Sequence, residues 1–223
     1  MRRIRRFSIG NPINTEAAVQ EIPKEKGEFP YFTRVQGIAL ESDGDSKETM
    51  VQMDYLCYQM ATEDRIYGLG EHVRGINKRG WVYESNCTDD PAHTEGKRSL
   101  YGAHNFFVVD GAHTFGIFVD YPGKLTLDMG YTKMDELRIT PEDWNLDFYL
   151  LEGDSILEIV TAFRNMVGRS YIPPKWAFGF GQSRWGYKSA EDIRAVVRGY
   201  REQGIPLDSG YMGIDYMARF KDF

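Results

Sequence analysis

The 223-residue chain reads as a β-sandwich followed by the first βαβ unit of an incomplete (β/α)8 barrel. Three observations predict this. From Tyr31 to about Leu151 short β-rich runs alternate with turn signals, the pattern of an antiparallel sandwich. Pro173-Pro174 then interrupts the chain, because proline cannot continue a helix and pushes its predecessor into an extended conformation. This divides a domain at 1–172 from a second at 173–223. Beyond the prolines the order strand, helix, strand occurs once, which is the repeat of a parallel barrel.

Each element has a local cause. Thr49 to Gln59, Arg65 to Leu69, Lys124 to Met129, Glu136 to Thr140 and Leu146 to Leu151 predict strands, and Glu41 to Lys47 is a polar turn. Asn105 to Val109 and His113 to Tyr121 flank Asp110-Gly111, a hairpin signal because glycine tolerates positive φ. Asp154 is placed as the N-cap of a helix whose Ile156, Ile159, Val160, Phe163 and Val167 form one stripe, ending near Gly168 and packing between the domains. Trp176 to Ser183 is a near-continuous apolar and aromatic run, expected as a strand covered on both faces. Ser189 opens the next helix with Asp192 reaching back to its free amides. Ile193, Val196, Val197 and Tyr200 share one face, and Gly204 closes the helix. Ile205 to Ile214 is the second strand, reached by a right-handed crossover. Parallel strands then bring Ser183, Arg184 and Trp185 to the same end as Gly213, Ile214 and Asp215, the face where such barrels bind ligands.

Composition narrows the function. A formal net charge of −6 argues against nucleic acid, which needs a basic face to displace counterions. The basic start MRRIRRF lacks a following apolar region, so no secretory leader is expected, and no run reaches transmembrane length. Cys57 and Cys87 are too few for a disulfide framework or a zinc cluster and read as free thiols of a cytoplasmic protein. His72, His93, His104 and His113 show no metal-ligand spacing; no metal and no cofactor are expected. With 42% hydrophobic and 14% aromatic residues the chain can build a sandwich core, and aromatic faces can also stack on a sugar.

The segments QSRWGY (Gln182 to Tyr187), IDYM (Ile214 to Met217) and KDF (Lys221 to Phe223) resemble the opening of the catalytic barrel of glycoside hydrolase family 31 α-glucosidases. Upstream, IYGLGE (Ile66 to Glu71), NKRG (Asn77 to Gly80), SNCTDDP (Ser85 to Pro91) and LYGAHNFF (Leu100 to Phe107) are similar to that family's N-terminal, galactose mutarotase-like sandwich, most of all in gut bacteria. The resemblance implies a retaining hydrolase of α-glucosides or α-linked oligosaccharides. Such chemistry needs two carboxyl groups about 5 to 5.5 Å apart. In the family both are aspartates of later barrel strands, one in a W-x-D-M-N-E type segment that these 223 residues do not contain, so no residue is assigned as catalytic and the chain is expected to be inactive alone. The incomplete barrel is expected to be disordered, to self-associate or to aggregate, because open strand edges seek partners.

Four residues are candidates for substrate binding. Asp89-Asp90 before Pro91 reads by itself as a solvated turn or as a like-charge pair; the resemblance implies that Asp89 contacts sugar hydroxyls. Trp185 is either a packing residue or, by resemblance, part of the pocket lining. Ile214 would line the pocket wall, and Asp215 either holds the strand end or touches ligand. Arg184 is expected to brace a loop through an ion pair. Relatives carry D-I-D-Y-M where this chain has Gly213-Ile214-Asp215-Tyr216-Met217; losing that first carboxylate removes a charged hydrogen bond worth roughly 1.5 to 3 kcal/mol. The alternative is a non-catalytic carbohydrate-binding or mutarotase-like sandwich. That chemistry needs an acid and a base facing each other, and Glu71-His72 are chain neighbours.

Overall fold

The computed structural model describes residues 3–42 and 47–221, which leaves the middle of the Glu41 to Lys47 turn, the first two residues of MRRIRRF and the last two of KDF outside it. The chain divides into two compact units, Met1–Arg169 and Ser170–Phe223. In the first unit, strands β1 (Arg3–Ile9), β2 (Phe32–Ser42), β3 (Glu48–Gln59), β4 (Arg65–Gly68), β5 (Val82–Ser85), β6 (Phe106–Asp110), β7 (Phe115–Asp120), β8 (Leu125–Met129), β9 (Glu136–Pro141) and β10 (Leu146–Glu152) form two five-stranded antiparallel sheets. Their orders are β1-β10-β7-β6-β4 and β2-β3-β9-β8-β5. This is the sandwich that the alternation predicts.

Side-chain alternation explains the core. Phe107, Val109, Phe115, Ile117, Phe148 and Leu150 of the first sheet meet Leu56, Leu125, Leu127, Leu137 and Ile139 of the second, all buried. Each such side chain contributes on the order of 1.5 to 3 kcal/mol. The intervening residues Val108, Tyr149 and Leu151 point the other way and are covered by helix α1 (Ile156–Val167) through Ile159, Ala162 and Met166. With both faces covered, β10 has no solvent side, which is why LDFYLLE shows little alternation. Gly116 permits the close approach of the helix, since a Cβ there would stand 2.5 Å from Ile159 Cγ2.

Two local expectations change. The N-cap of α1 is Ser155, not Asp154: the Ser155 hydroxyl accepts from the Glu158 amide, while the Glu158 carboxylate accepts from the Asp154 amide. The buried side of α1 is Ile159, Ala162 and Met166, lying on the first sheet, and Val160 is exposed. The basic N-terminus is an edge strand, with Arg3 and Arg5 on Glu25 and Arg6 on Asp147. The β6–β7 hairpin is confirmed for a different reason, because Gly111 is needed for space: a Cβ would lie 2.2 Å from Asp64 Oδ1.

The second unit contains β11 (Gly181–Ser183), helix α2 (Ala190–Glu202) and β12 (Ser209–Tyr211), with Gln182 opposite Gly210 in a parallel pair. Ser189 and Asp192 form the expected capping box and Gly204 follows the helix at φ +67. The expected strand over Trp176 to Ser183 is shorter. Its first half is a 3-10 turn (Lys175–Phe178), closed by the Ala177 amide on the Pro174 carbonyl (3.0 Å) and the Gly179 amide on the Trp176 carbonyl (3.0 Å). Nor is it buried: Trp176 is 54% and Phe178 72% exposed, because a ladder of three residues per strand has no apolar layer of its own. Likewise only Ser209–Tyr211 of the second expected strand pairs.

Candidate functional site

In the first unit the candidate residues lie on the connection between β5 and β6. Its base is closed by the Thr88 amide on the Leu100 carbonyl (2.9 Å) and by the Thr88 and Ser99 hydroxyls at 2.6 Å. The two adjacent aspartates divide their roles. Asp90 pairs with Lys97 and accepts from the Ala92 amide (2.9 Å), and these donors hold its carboxyl below the usual carboxylate range. It is therefore a structural residue, and the like-charge pair does not form a reactive dyad. Asp89 is exposed. Tyr101, which the sequence reading missed, stands beside it; desolvation and the Asp89 carboxylate raise the phenol's pKa. The His93 ring meets Tyr101 edge-on at 5.1 Å.

A cleft of about 340 Å³ flanks this loop, lined by Glu48, Glu84, Asp90, Lys97, Arg98 and Lys124. Its charges pair with one another: Arg98 with Glu48 and Glu84, Lys124 with Glu84 at 3.4 Å, and Lys97 with Asp90. Glu71 and His72 do not face each other across a groove. The Glu71 carboxylate accepts from the Gly102 amide (3.2 Å), and His72 packs edge-on to Tyr83 at 4.7 Å. Burial, then the Lys78 and Arg74 cations, lower the His72 pKa to about 4. The cavity beside it, about 10 Å³, has room for one water and not for a sugar.

The second unit presents its candidates at the C-terminal ends of β11 and β12. Trp185 is 76% exposed, Ile214 is exposed and Asp215 is partly buried. Gly213 has φ +71, and a Cβ built on it would lie 3.5 Å from the Arg184 carbonyl, so the two strand ends are neighbours. Gln182 is held in place by the Tyr200 hydroxyl (2.6 Å) and the Tyr187 hydroxyl (3.3 Å). The ion pair expected for Arg184 is replaced by a bond to the Trp185 carbonyl (3.1 Å) and a position over the Tyr187 ring. Trp185, Ile214 and Asp215 thus share one end of one small sheet, while Asp89 belongs to the sandwich.

Comparison with known proteins connects the two units. Residues 9–128 match the glycosyl hydrolase 31 N-terminal galactose mutarotase-like domain, and residues 170–223 match the glycosyl hydrolases family 31 TIM-barrel domain. The chain is 33% identical over 175 residues to alpha-glucosidase 2 of Bacillus thermoamyloliquefaciens, covering 77% of this chain and 22% of that protein. It is 31% identical over 211 residues to human intestinal sucrase-isomaltase, covering 92% of this chain and 11% of that one. It therefore spans about a fifth or less of these relatives. Among solved structures, a Flavobacterium johnsoniae GH31 dextranase complexed with glucose superposes with a TM-score of 0.69 at 24% identity, over 84% of this chain and 21% of that chain, a likeness of fold. With both domain matches in order along the sequence, the chain belongs to glycosyl hydrolase family 31.

Proposed function

We propose that these residues are the sandwich, 1–172, and the opening of the catalytic barrel, 173–223, of a retaining α-glucosidase acting on α-linked glucosides or oligosaccharides. The observation that carries this reading is the ordered match to both domains of the family, together with relatives named alpha-glucosidase and sucrase-isomaltase. Asp89, Trp185, Ile214 and Asp215 serve as saccharide contacts, consistent with the exposure of the first three and with the commitment of Asp90 to Lys97. The reacting carboxyl pair is supplied from outside the 223 residues, and the chain alone does not turn over substrate. Purified chain and a version extended through the rest of the barrel are compared on an aryl α-glucoside, and signal is expected only from the extended protein. Turnover by the 223-residue chain that is abolished by Asp215→Asn or Asp90→Asn refutes this.

The second unit exposes Trp176, Phe178, Phe180 and Tyr211, and we propose self-association through it. Sedimentation of the chain should show oligomers that Phe178→Asp disperses; a monomer at all concentrations counts against it. No helix among the described residues is long and apolar enough to cross a membrane. We assign the protein to the cytoplasm on its two unpaired cysteines, Cys57 and Cys87.

A further inference from the structure

We propose that Arg74 is a positioning residue: its guanidinium fixes the 86–99 loop against the sandwich and thereby sets where Asp89 stands. This rests on the reading of Asp89 as a saccharide contact. Arg74 is buried, and three of its nitrogens donate to three backbone carbonyls. Nε reaches Glu95 (2.7 Å), Nη2 reaches Gly96 (3.0 Å) and Nη1 reaches Val82 (2.7 Å). Two of these carbonyls are consecutive in the returning limb of the loop, and the third opens β5. One planar group therefore ties the returning limb to the edge strand of the second sheet.

The surroundings suit a guanidinium and not an ammonium. Arg74 Cζ lies 4.2 Å from the Trp81 ring centroid and 5.1 Å from that of Tyr83, so aromatic rings take part of the role that water would otherwise fill. Among the described residues no carboxylate forms an ion pair with it; the carbonyls are its acceptors. Lysine offers a single point of charge and cannot reach three diverging acceptors at once. Other ties hold different parts of the loop: Thr88 to Leu100 and Ser99 at the base, Asp90 to Lys97 across it, and the Lys97 amide to the Thr94 carbonyl (3.1 Å) at its tip. With Arg74 removed, the 94–96 segment keeps no bond to β5 through a side chain. The returning limb is then joined to that strand further on, by the Glu84 amide on the Arg98 carbonyl (2.9 Å) and the Arg98–Glu84 pair, and the outgoing limb carrying Asp89 is linked to it through Thr88 and through Asp90 and Lys97.

The test uses amide exchange in the whole chain. In Arg74→Lys, and in the volume-preserving Arg74→Met, the Thr88, Ala92 and Lys97 amides should exchange about ten-fold faster or more, while amides of β7 and β10 keep their protection. Unchanged loop exchange in Arg74→Lys overturns the proposal. An equal rise throughout β7 and β10 also overturns it, because Arg74 would then be a general fold residue. Should Arg74→Met fail to fold, the lysine variant still decides. A second arm titrates isomaltose against the unaltered chain, Arg74→Lys, Asp89→Asn and the double variant, followed by amide chemical shifts. If Arg74 acts through Asp89, each single change weakens binding and the double is no weaker than Asp89→Asn alone; additive losses overturn the positioning role. Absence of binding by the unaltered chain overturns the saccharide reading of Asp89, and the exchange arm then reports separately on what Arg74 does to the loop.

Discussion

His72 should make the sandwich acid-labile in a window where its carboxylates are still ionised. The folded chain holds this imidazole at a pKa of about 4 against an ordinary 6.5, because burial disfavours the cation and Lys78 and Arg74 repel it. The native state therefore keeps it neutral while the unfolded chain takes up a proton. Stability is fully present well above pH 6.5, begins to fall as the pH drops through 6.5 and continues to fall toward 4. The unfolded imidazole is half protonated at pH 6.5 and almost fully protonated at pH 5, so at about 1.36 kcal/mol per pH unit and proton the cost over this interval comes to roughly 1.6 kcal/mol. The ring is partly exposed and screened by solvent, which reduces the expected figure to about 1 to 1.5 kcal/mol. Urea unfolding of the chain and of His72→Gln, followed by tryptophan fluorescence at pH 7.5, 6.5 and 5, isolates this contribution, since all other titrating groups cancel in the difference. The reference should lose that much more stability than the variant between pH 6.5 and 5. Parallel curves for the two proteins would refute the assignment.

Substitutions at three positions probe the framework. Gly111→Ala should cost about 2 to 3 kcal/mol in urea unfolding. The new Cβ falls 2.2 Å from Asp64 Oδ1, and Asp64 cannot yield, being held by the Tyr58 hydroxyl (2.8 Å) and the Ala61 and Ala112 amides (2.9 Å each). Ser189→Ala removes one half of the α2 capping box and should lower helical circular dichroism, with a loss of about 1 kcal/mol in that helix and an unchanged sandwich transition. Gly213→Ala should destabilise the second unit by about 1 kcal/mol through its left-handed φ, since nothing lies closer than 3.5 Å to the added atom. Gly213→Asn, which tolerates that conformation, should cost less; equal losses would point to a steric cause.

What the sequence determined by itself is whatever depends on neighbours within a few positions. The capping box of Ser189 and Asp192, the existence of helix α1, the β6–β7 hairpin and strands β3, β4 and β6 to β10 follow from β-rich runs, periodicity and end signals, whereas β5 carries no such signal. So does the resemblance of the 66–107 motifs to family 31, borne out by the match over residues 9–128. Only the tertiary structure decided features that depend on distant partners. The basic start of the chain is a strand because β10, some 140 residues on, supplies its ladder and Asp147 takes Arg6. The aromatic run at Trp176 looks like a buried strand, yet burial requires a covering layer and extended backbone requires a pairing partner; Trp176 is left half-exposed in a 3-10 turn closed by its own carbonyls. Asp89 and Asp90 are indistinguishable by residue type; Lys97 and the Ala92 amide separate them. Arg74 shows the limit most clearly, since its acceptors are backbone carbonyls, which carry no residue identity for a sequence pattern to register.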